Sequence, residues 1–328
     1  MPDRPLPGLV LLQRSDGRRW SEVLAEPLSD TALAPPGFGA SLEHIDQAVT
    51  RLLSEVTRTP FPDLVIHIGP DDAGKADATA FASLLVASRA ERLVQCVELS
   101  ASCLANLENG SLQVSAIAAR ALFETFTVSM DVREQVVEAW RDIRLDRGVI
   151  QSAASDFSSP LWSLLWSGRF ATRLTPELEH GWPKAVNVVT RLERMAKGSG
   201  SVGDDLRSTY AWLCEATHPN VEAQGVFWRI ASPDVRGRCR IRFAPTSSQS
   251  PVKLAILNAL TLAIPFLEYW ARVLWWMAAD VVSACPPERN AETRALGLPK
   301  AGRRLGPCPC GSNVAGGSCW HPEPLLLQ

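Results

Sequence analysis

Apolar residues recur at helical spacing through most of the chain. In "SLEHIDQAVTRLLSEV", residues 41–56, Leu42, Ile45, Val49, Leu52 and Val56 follow one another in steps of three and four. That period predicts an amphipathic helix with Ser41 as its N-cap. The same pattern predicts helix over 78–105, and over 111–144 as one long helix or two nearly collinear ones. A Pro-led segment carrying Trp162 and Trp166 follows, and further helices are expected near 183–197, through "LRSTYAWLCEATH" and across 252–284. The helix through "LRSTYAWLCEATH" must stop at "HPN", 218–220, because Pro219 disfavours a helical backbone at His218. "GSGSVGDD", 198–205, reads as a flexible loop whose Asp204 or Asp205 caps that helix. Residues 1–40 are rich in Pro and Gly and show no lasting period.

Two places break the helical pattern. "DLVIHIG", 63–69, reads as one short buried strand ended by "GPDDAGK", which lacks the second glycine and the Ser/Thr of a phosphate loop. In "GVFWRIASPDVRGRCRIRFAP", 225–245, two short alternating runs flank "SPDVRGR", the pattern of a β-hairpin. The expected fold class is therefore mainly α: a helical bundle with a small β-hairpin and a small C-terminal module. The helix at 252–284 is the most apolar, but its uncharged stretch ends at Glu268, fourteen residues after Leu254. A membrane span needs about 20 apolar residues. A buried core helix, kinked near Pro265, fits better than a span.

Composition narrows the class without fixing a function. With 46% hydrophobic and 21% charged residues, the chain has the make-up of a folded soluble protein. A formal net charge of −2 gives no general field for nucleic acid or anionic lipid, so such a partner would need a local patch. The apolar run Leu9 to Leu12 is too short for a secretory leader. Cys96, Cys103, Cys214, Cys239 and Cys285 are scattered in apolar surroundings, as buried reduced thiols are, and a cytoplasmic location is expected. The Trp residues read mainly as core bulk.

Some polar residues occupy positions that the pattern would give to apolar ones. Arg207, Tyr210, Cys214 and His218, spaced 3, 4 and 4, share one stripe of their helix. Arg120 and Glu124 form an i, i+4 pair within "AIAARALFETF". Arg120, Glu124, Arg207, Tyr210 and His218 are the candidate pocket residues. One reading is a buried network that fixes helix register, pairing Arg120 with Glu124 and Tyr210 with His218. The other is a polar binding pocket in which Arg clamps an anion and His titrates near neutral pH. No Ser–His–Asp or H-E-x-x-H pattern is visible, and no catalytic residue is assigned.

The tail is denser in chemistry. "PCPCGSNVAGGSCWHP", 307–322, holds Cys308, Cys310 and Cys319 as C-x-C-x8-C, with His321 two residues beyond. Three thiolates and an imidazole are the ligands of a closed, structural zinc site, and Zn²⁺ is the expected cofactor. Such a short tail has almost no core, so metal binding would drive its folding. A disulfide pair, a redox pair or an accidental cluster are the competing readings. "CPCGS" followed by Cys319 resembles the SEC-C motif, the zinc-binding tail of the SecA translocation motor and of many other bacterial proteins. The resemblance implies Cys308, Cys310 and Cys319 as ligands, and docking to a protein or nucleoprotein partner. Two departures are plain. Trp320 stands where the family's fourth ligand follows the third, so His321 must reach from one residue later. "NVAGGS" replaces the usual lysine-rich stretch.

"RALFET" together with "YAWLCEATHPN" and a hairpin is similar to uncharacterised bacterial helical proteins compared with HEPN domains, some of which cleave RNA. Their signature needs Arg and His within about seven positions on one helix, whereas Arg207 lies eleven residues before His218. The expected organisation is a helical domain at 1–284, a linker at 285–305 and a zinc motif at 306–323. The expected function is that of a zinc-binding, SEC-C motif-containing bacterial binding or adaptor protein. The alternative is a HEPN-like ribonuclease or other hydrolase of toxin or defence type.

Overall fold

A computed structural model describes residues 7–29, 38–57, 78–143, 146–156, 158–170, 186–197, 199–218, 228–230, 241–243 and 250–284. Ten helices lie among these residues: α1 (Pro7–Gln13), α2 (Trp20–Ser29), α3 (Phe38–Thr57), α4 (Ala78–Glu108), α5 (Leu112–Ile143), α6 (Arg147–Ser155), α7 (Pro160–Phe170), α8 (Val188–Ala196), α9 (Gly200–Thr217) and α10 (Ser250–Ala284). The fold is mainly α, as the periodicity predicts. Two three-residue strands, β1 (Trp228–Ile230) and β2 (Ile241–Phe243), pair antiparallel with Arg229 opposite Arg242. The segment between them lies outside the described residues, as do the strand expected at 63–69, the linker at 285–305 and the zinc motif at 306–323.

The chain divides into two compact units, and each contains non-consecutive stretches. The first comprises Met1–Ser54, Val94–Phe126 and Leu192–Pro265; the second comprises Glu55–Leu93, Thr127–Arg191 and Phe266–Gln328. The boundaries at 54/55, 93/94, 126/127, 191/192 and 265/266 all fall inside helices, namely α3, α4, α5, α8 and α10.

In the first unit, α3 buries Leu42, Ile45, Val49 and Leu52, four of the five positions that define its stripe; Val56, also buried, belongs to the second unit. The α4–α5 corner is set by "ENGS". Gly110 adopts φ +73, Ser111 N–H donates to the Asn106 carbonyl and Gly110 N–H to that of Leu107. This pair of bonds is the Schellman closure, which needs a left-handed residue that glycine supplies without strain. The N-terminal forty residues hold α1, α2 and the start of α3 although their sequence shows no lasting period. Tertiary bonds make up for their weak period: Gly8 N–H donates to Glu98 at 3.0 Å, Arg14 to Glu108 at 2.8 Å, and Ser21 N–H to Asp46. Trp20 is buried and donates its indole N–H to the Leu12 carbonyl.

Residues 200–205, expected as loop, are already helical: α9 begins at Gly200, so Asp204 and Asp205 lie within it rather than capping it. The reason is local packing. A Cβ at Gly203 would stand 2.4 Å from the Ala196 carbonyl oxygen, so glycine here permits a close approach of α8 and α9.

In the second unit, Phe81 and Trp162 meet edge to face, their centroids 5.0 Å apart, and the Trp162 indole donates to the Ala154 carbonyl. Trp140, Leu267, Trp270 and Met277 are also buried there. Asp146 caps α6 by accepting from the Gly148 and Val149 N–H groups. Asp131 and Arg191, 7% and 6% exposed, form a buried ion pair, and Arg89 pairs with Glu55 while lying over the Trp275 ring.

Helix α10 runs unbroken through Pro265, which has no N–H to donate back to the Thr261 carbonyl. It is long and apolar enough to cross a membrane by length and composition, and 67% of its apolar window is buried inside the protein. Glu268 and Asp280 on it are buried as well, and Glu268 pairs with Arg272.

Candidate functional site

The first unit brings together four of the five candidate pocket residues. The α5 turn from 120 to 124 places Arg120 and Glu124 side by side, and Arg120 Nε donates to Glu124 Oε1 at 3.0 Å. From α9, the Tyr210 hydroxyl donates to the same carboxylate oxygen at 3.0 Å, and the Tyr210 ring stacks beside Phe123 with centroids 6.1 Å apart. Arg120 Nη1 reaches Thr217 Oγ1 at 2.7 Å and His218 Nε2 at 3.4 Å. A guanidinium has only donors, so in this contact His218 Nε2 is the acceptor.

His218 owes its position to the residue that follows. It caps α9 in an extended conformation, φ −89 and ψ 149, as the sequence "HP" demands, and its backbone N–H closes the last turn on the Cys214 carbonyl. The side chain is thereby left exposed at the helix end. The expected pairing was Tyr210 with His218; instead Tyr210 bonds Glu124 and Arg120 bonds His218. Two turns of helix separate Tyr210 from His218, whereas Glu124 faces Tyr210 from α5.

Arg207, the fifth candidate, does not join them. It shares the stripe on α9, but its guanidinium is held by Glu193 at 3.0 Å and Asp204 at 3.0 Å. Those carboxylates stand on α8 and one turn back on α9, nearer than Glu124. Thr217 is a member of the cluster that the sequence reading missed. Its signal is a threonine in the last helical turn beside the capping histidine.

The cluster is half-buried, with Arg120 and Glu124 side chains 27% and 33% exposed. Burial and the neighbouring Glu124 carboxylate push the Tyr210 phenol well above its ordinary range. Burial also raises the Cys214 thiol, against the opposing pull of Tyr210 and Arg120. Both groups therefore stay protonated at neutral pH, and neither is an activated nucleophile. Arg120 Nη2 makes no hydrogen bond among the described residues. The arrangement offers a fixed guanidinium and an imidazole for holding a polar or anionic group, with Glu124 and Tyr210 orienting the guanidinium.

Cys96 and Cys103 are buried thiols in no disulfide, as expected of small hydrophobes, and burial pushes Cys103 up to about 12. Cys308, Cys310, Cys319 and His321 lie outside the described residues, and among the described residues no group of three or more His, Cys, Asp or Glu is placed to hold a metal. No protein-family model, curated protein or solved structure matches the chain.

Proposed function

We propose that this is a cytoplasmic zinc-binding binding or adaptor protein of SEC-C type, whose tail docks a protein or nucleoprotein partner. Cys308, Cys310, Cys319 and His321 would hold the ion, and the support for this is the C-x-C-x8-C-x-H spacing. Zinc there supplies folding free energy, not a reaction. The hairpin of 225–245 and a core-helix role for α10 belong to the same reading, the latter supported by the buried Glu268 and Asp280.

For the helical part, one observation favours binding over covalent catalysis. The Arg120–Glu124–Tyr210–His218 cluster is closed on itself, with its phenol and nearby thiol held protonated. Its remaining capacity, Arg120 Nη2 and the exposed His218 ring, suits recognition of a polar group.

The test is a pull-down with the full chain and with a chain lacking residues 300–328, alongside zinc stoichiometry. The truncation and Cys310→Ser should both lose one zinc per chain and the captured partner. Zinc content untouched by Cys310→Ser would sink the metal assignment. Retention of the partner by the truncated chain would move the docking role to the helical part.

A ribonuclease reading is kept alive by one contact, Arg120 Nη1 to His218 Nε2 at 3.4 Å, which sets an Arg and a His side by side from two helices. RNA cleavage that disappears in His218→Ala would establish it; equal behaviour of the two proteins would end it.

A further inference from the structure

Arg120 and Glu124 spend only part of their hydrogen-bonding capacity on each other. Their bond joins Arg120 Nε to Glu124 Oε1 at 3.0 Å, and Oε1 also accepts from the Tyr210 hydroxyl. Arg120 Nη1 is taken by Thr217 and His218. Arg120 Nη2 and Glu124 Oε2 are left with no hydrogen bond among the described residues. Neither atom is sealed in. Among the described residues, the enclosed polar atoms without a partner belong to Arg89, Ser129, Arg133, Trp140, Arg191 and Arg272. The Arg120 and Glu124 side chains are 27% and 33% exposed.

Covalent geometry keeps the two spare atoms together. Nη2 shares its carbon with Nε, and Oε2 shares its carbon with Oε1, so they flank the 3.0 Å bond. A guanidinium nitrogen only donates, and a carboxylate oxygen only accepts. The surface therefore presents a donor beside an acceptor, within a pair whose formal charges cancel.

We propose, on the footing that the cluster is a recognition site, that this donor–acceptor pair binds a primary carboxamide. The amide carbonyl accepts from Nη2, and the amide NH₂ donates to Oε2. Charged ligands match less well. A carboxylate sets one of its oxygens against Oε2, and an ammonium sets its charge against the guanidinium. An ester supplies the carbonyl but leaves Oε2 without a donor. The amide belongs to a small molecule or to an asparagine or glutamine side chain of a partner.

The experiment titrates the full chain with acetamide and with blocked glutamine (N-acetylglutamine methylamide), following the Thr217 and His218 resonances by NMR. Acetate, methylammonium and methyl acetate are the mismatched probes. Both amides should shift these resonances saturably, and each mismatched probe should bind at least about tenfold more weakly, as loss of one hydrogen bond predicts. Tighter binding of blocked glutamine than of acetamide supports a partner's side chain as the source, and the reverse order supports a small molecule. Glu124→Gln is the decisive variant. Oε1 accepts two bonds, so the glutamine oxygen takes its place and the NH₂ group replaces Oε2. The site then offers two donors, and the preference should pass from acetamide to acetate by about tenfold. Acetate binding the parent as well as acetamide does, or an unswitched preference in Glu124→Gln, would overturn the amide assignment and leave the cluster a general polar site. Silence of every probe with both proteins would overturn the recognition reading as well.

Discussion

Two arginine–carboxylate pairs in this protein use the same chemistry and carry different meanings. In the second unit, Asp131 and Arg191 are 7% and 6% exposed and face each other from α5 and α8. In the first, Arg120 and Glu124 are 27% and 33% exposed and lie one turn apart on α5. Removing water makes the first pair obligatory: each charge is costly without the other, although the pair as a whole adds little over a well-packed apolar substitute. The second pair is screened by solvent and worth at most about 1 kcal/mol. Burial, rather than the presence of an ion pair, separates a structural arginine from one that is available to a ligand.

The sharpest way to break this comparison is Asp131→Ala. It leaves the Arg191 guanidinium buried and unpaired, and a loss of about 3–5 kcal/mol in urea unfolding is expected. Replacing both together, Asp131→Leu with Arg191→Met, should recover most of that loss. A double variant no more stable than the single one would show that the pair contributes more than mutual neutralisation.

Gly203→Ala comes next. Alanine normally gains roughly 0.5–1 kcal/mol over glycine within a helix. Here the added Cβ meets the Ala196 carbonyl at 2.4 Å, which is backbone and cannot rotate away. A net destabilisation of about 1–3 kcal/mol is expected, and any displaced α9 should disturb the Tyr210–Glu124 bond without touching either residue. An unchanged or raised melting temperature would show that α8 and α9 can separate at little cost.

Arg120→Ala should cost no more than about 1 kcal/mol yet release the His218 ring, visible as altered His218 resonances in NMR. A loss several times larger would place this pair beside Asp131–Arg191 as structural.

The smallest effect is a pH dependence that must be subtracted before any is ascribed to the cluster. Burial, with help from the Arg51 charge, holds the His44 imidazole below its ordinary value of 6.5. The folded state therefore binds fewer protons there than the unfolded chain, so stability rises with pH and this contribution is lost as pH falls below about 6.5. His44→Gln should flatten a shallow slope in that window; an unaltered slope would assign it elsewhere.

The helices were legible because their signal is local. The α3 stripe reappears residue for residue as buried positions, and Pro219 marks the end of α9. Misreadings arose where long-range contacts decide the outcome. Gly and Ser in 200–203 look like loop, but they are helix, and Gly203 packs tightly on Ala196. The N-terminal segment looks aperiodic, but Glu98, Glu108 and Asp46 hold α1 and α2 in place. In the candidate site, the i, i+4 pair was readable from spacing alone. The exchange of partners between Tyr210 and His218, and the diversion of Arg207 to Glu193, depend on which helix lies opposite. Arg191 gave no such signal, being one of two arginines among the apolar positions of "VVTRLERMA".

The two units also bear on how such a protein can be inherited. Every boundary between them, at 54/55, 93/94, 126/127, 191/192 and 265/266, falls inside a helix, and none falls in a connecting loop. No single uninterrupted stretch of gene encodes either unit. Recombination that shuffles segments at linkers could not transplant half of the body, so the two units must be copied together.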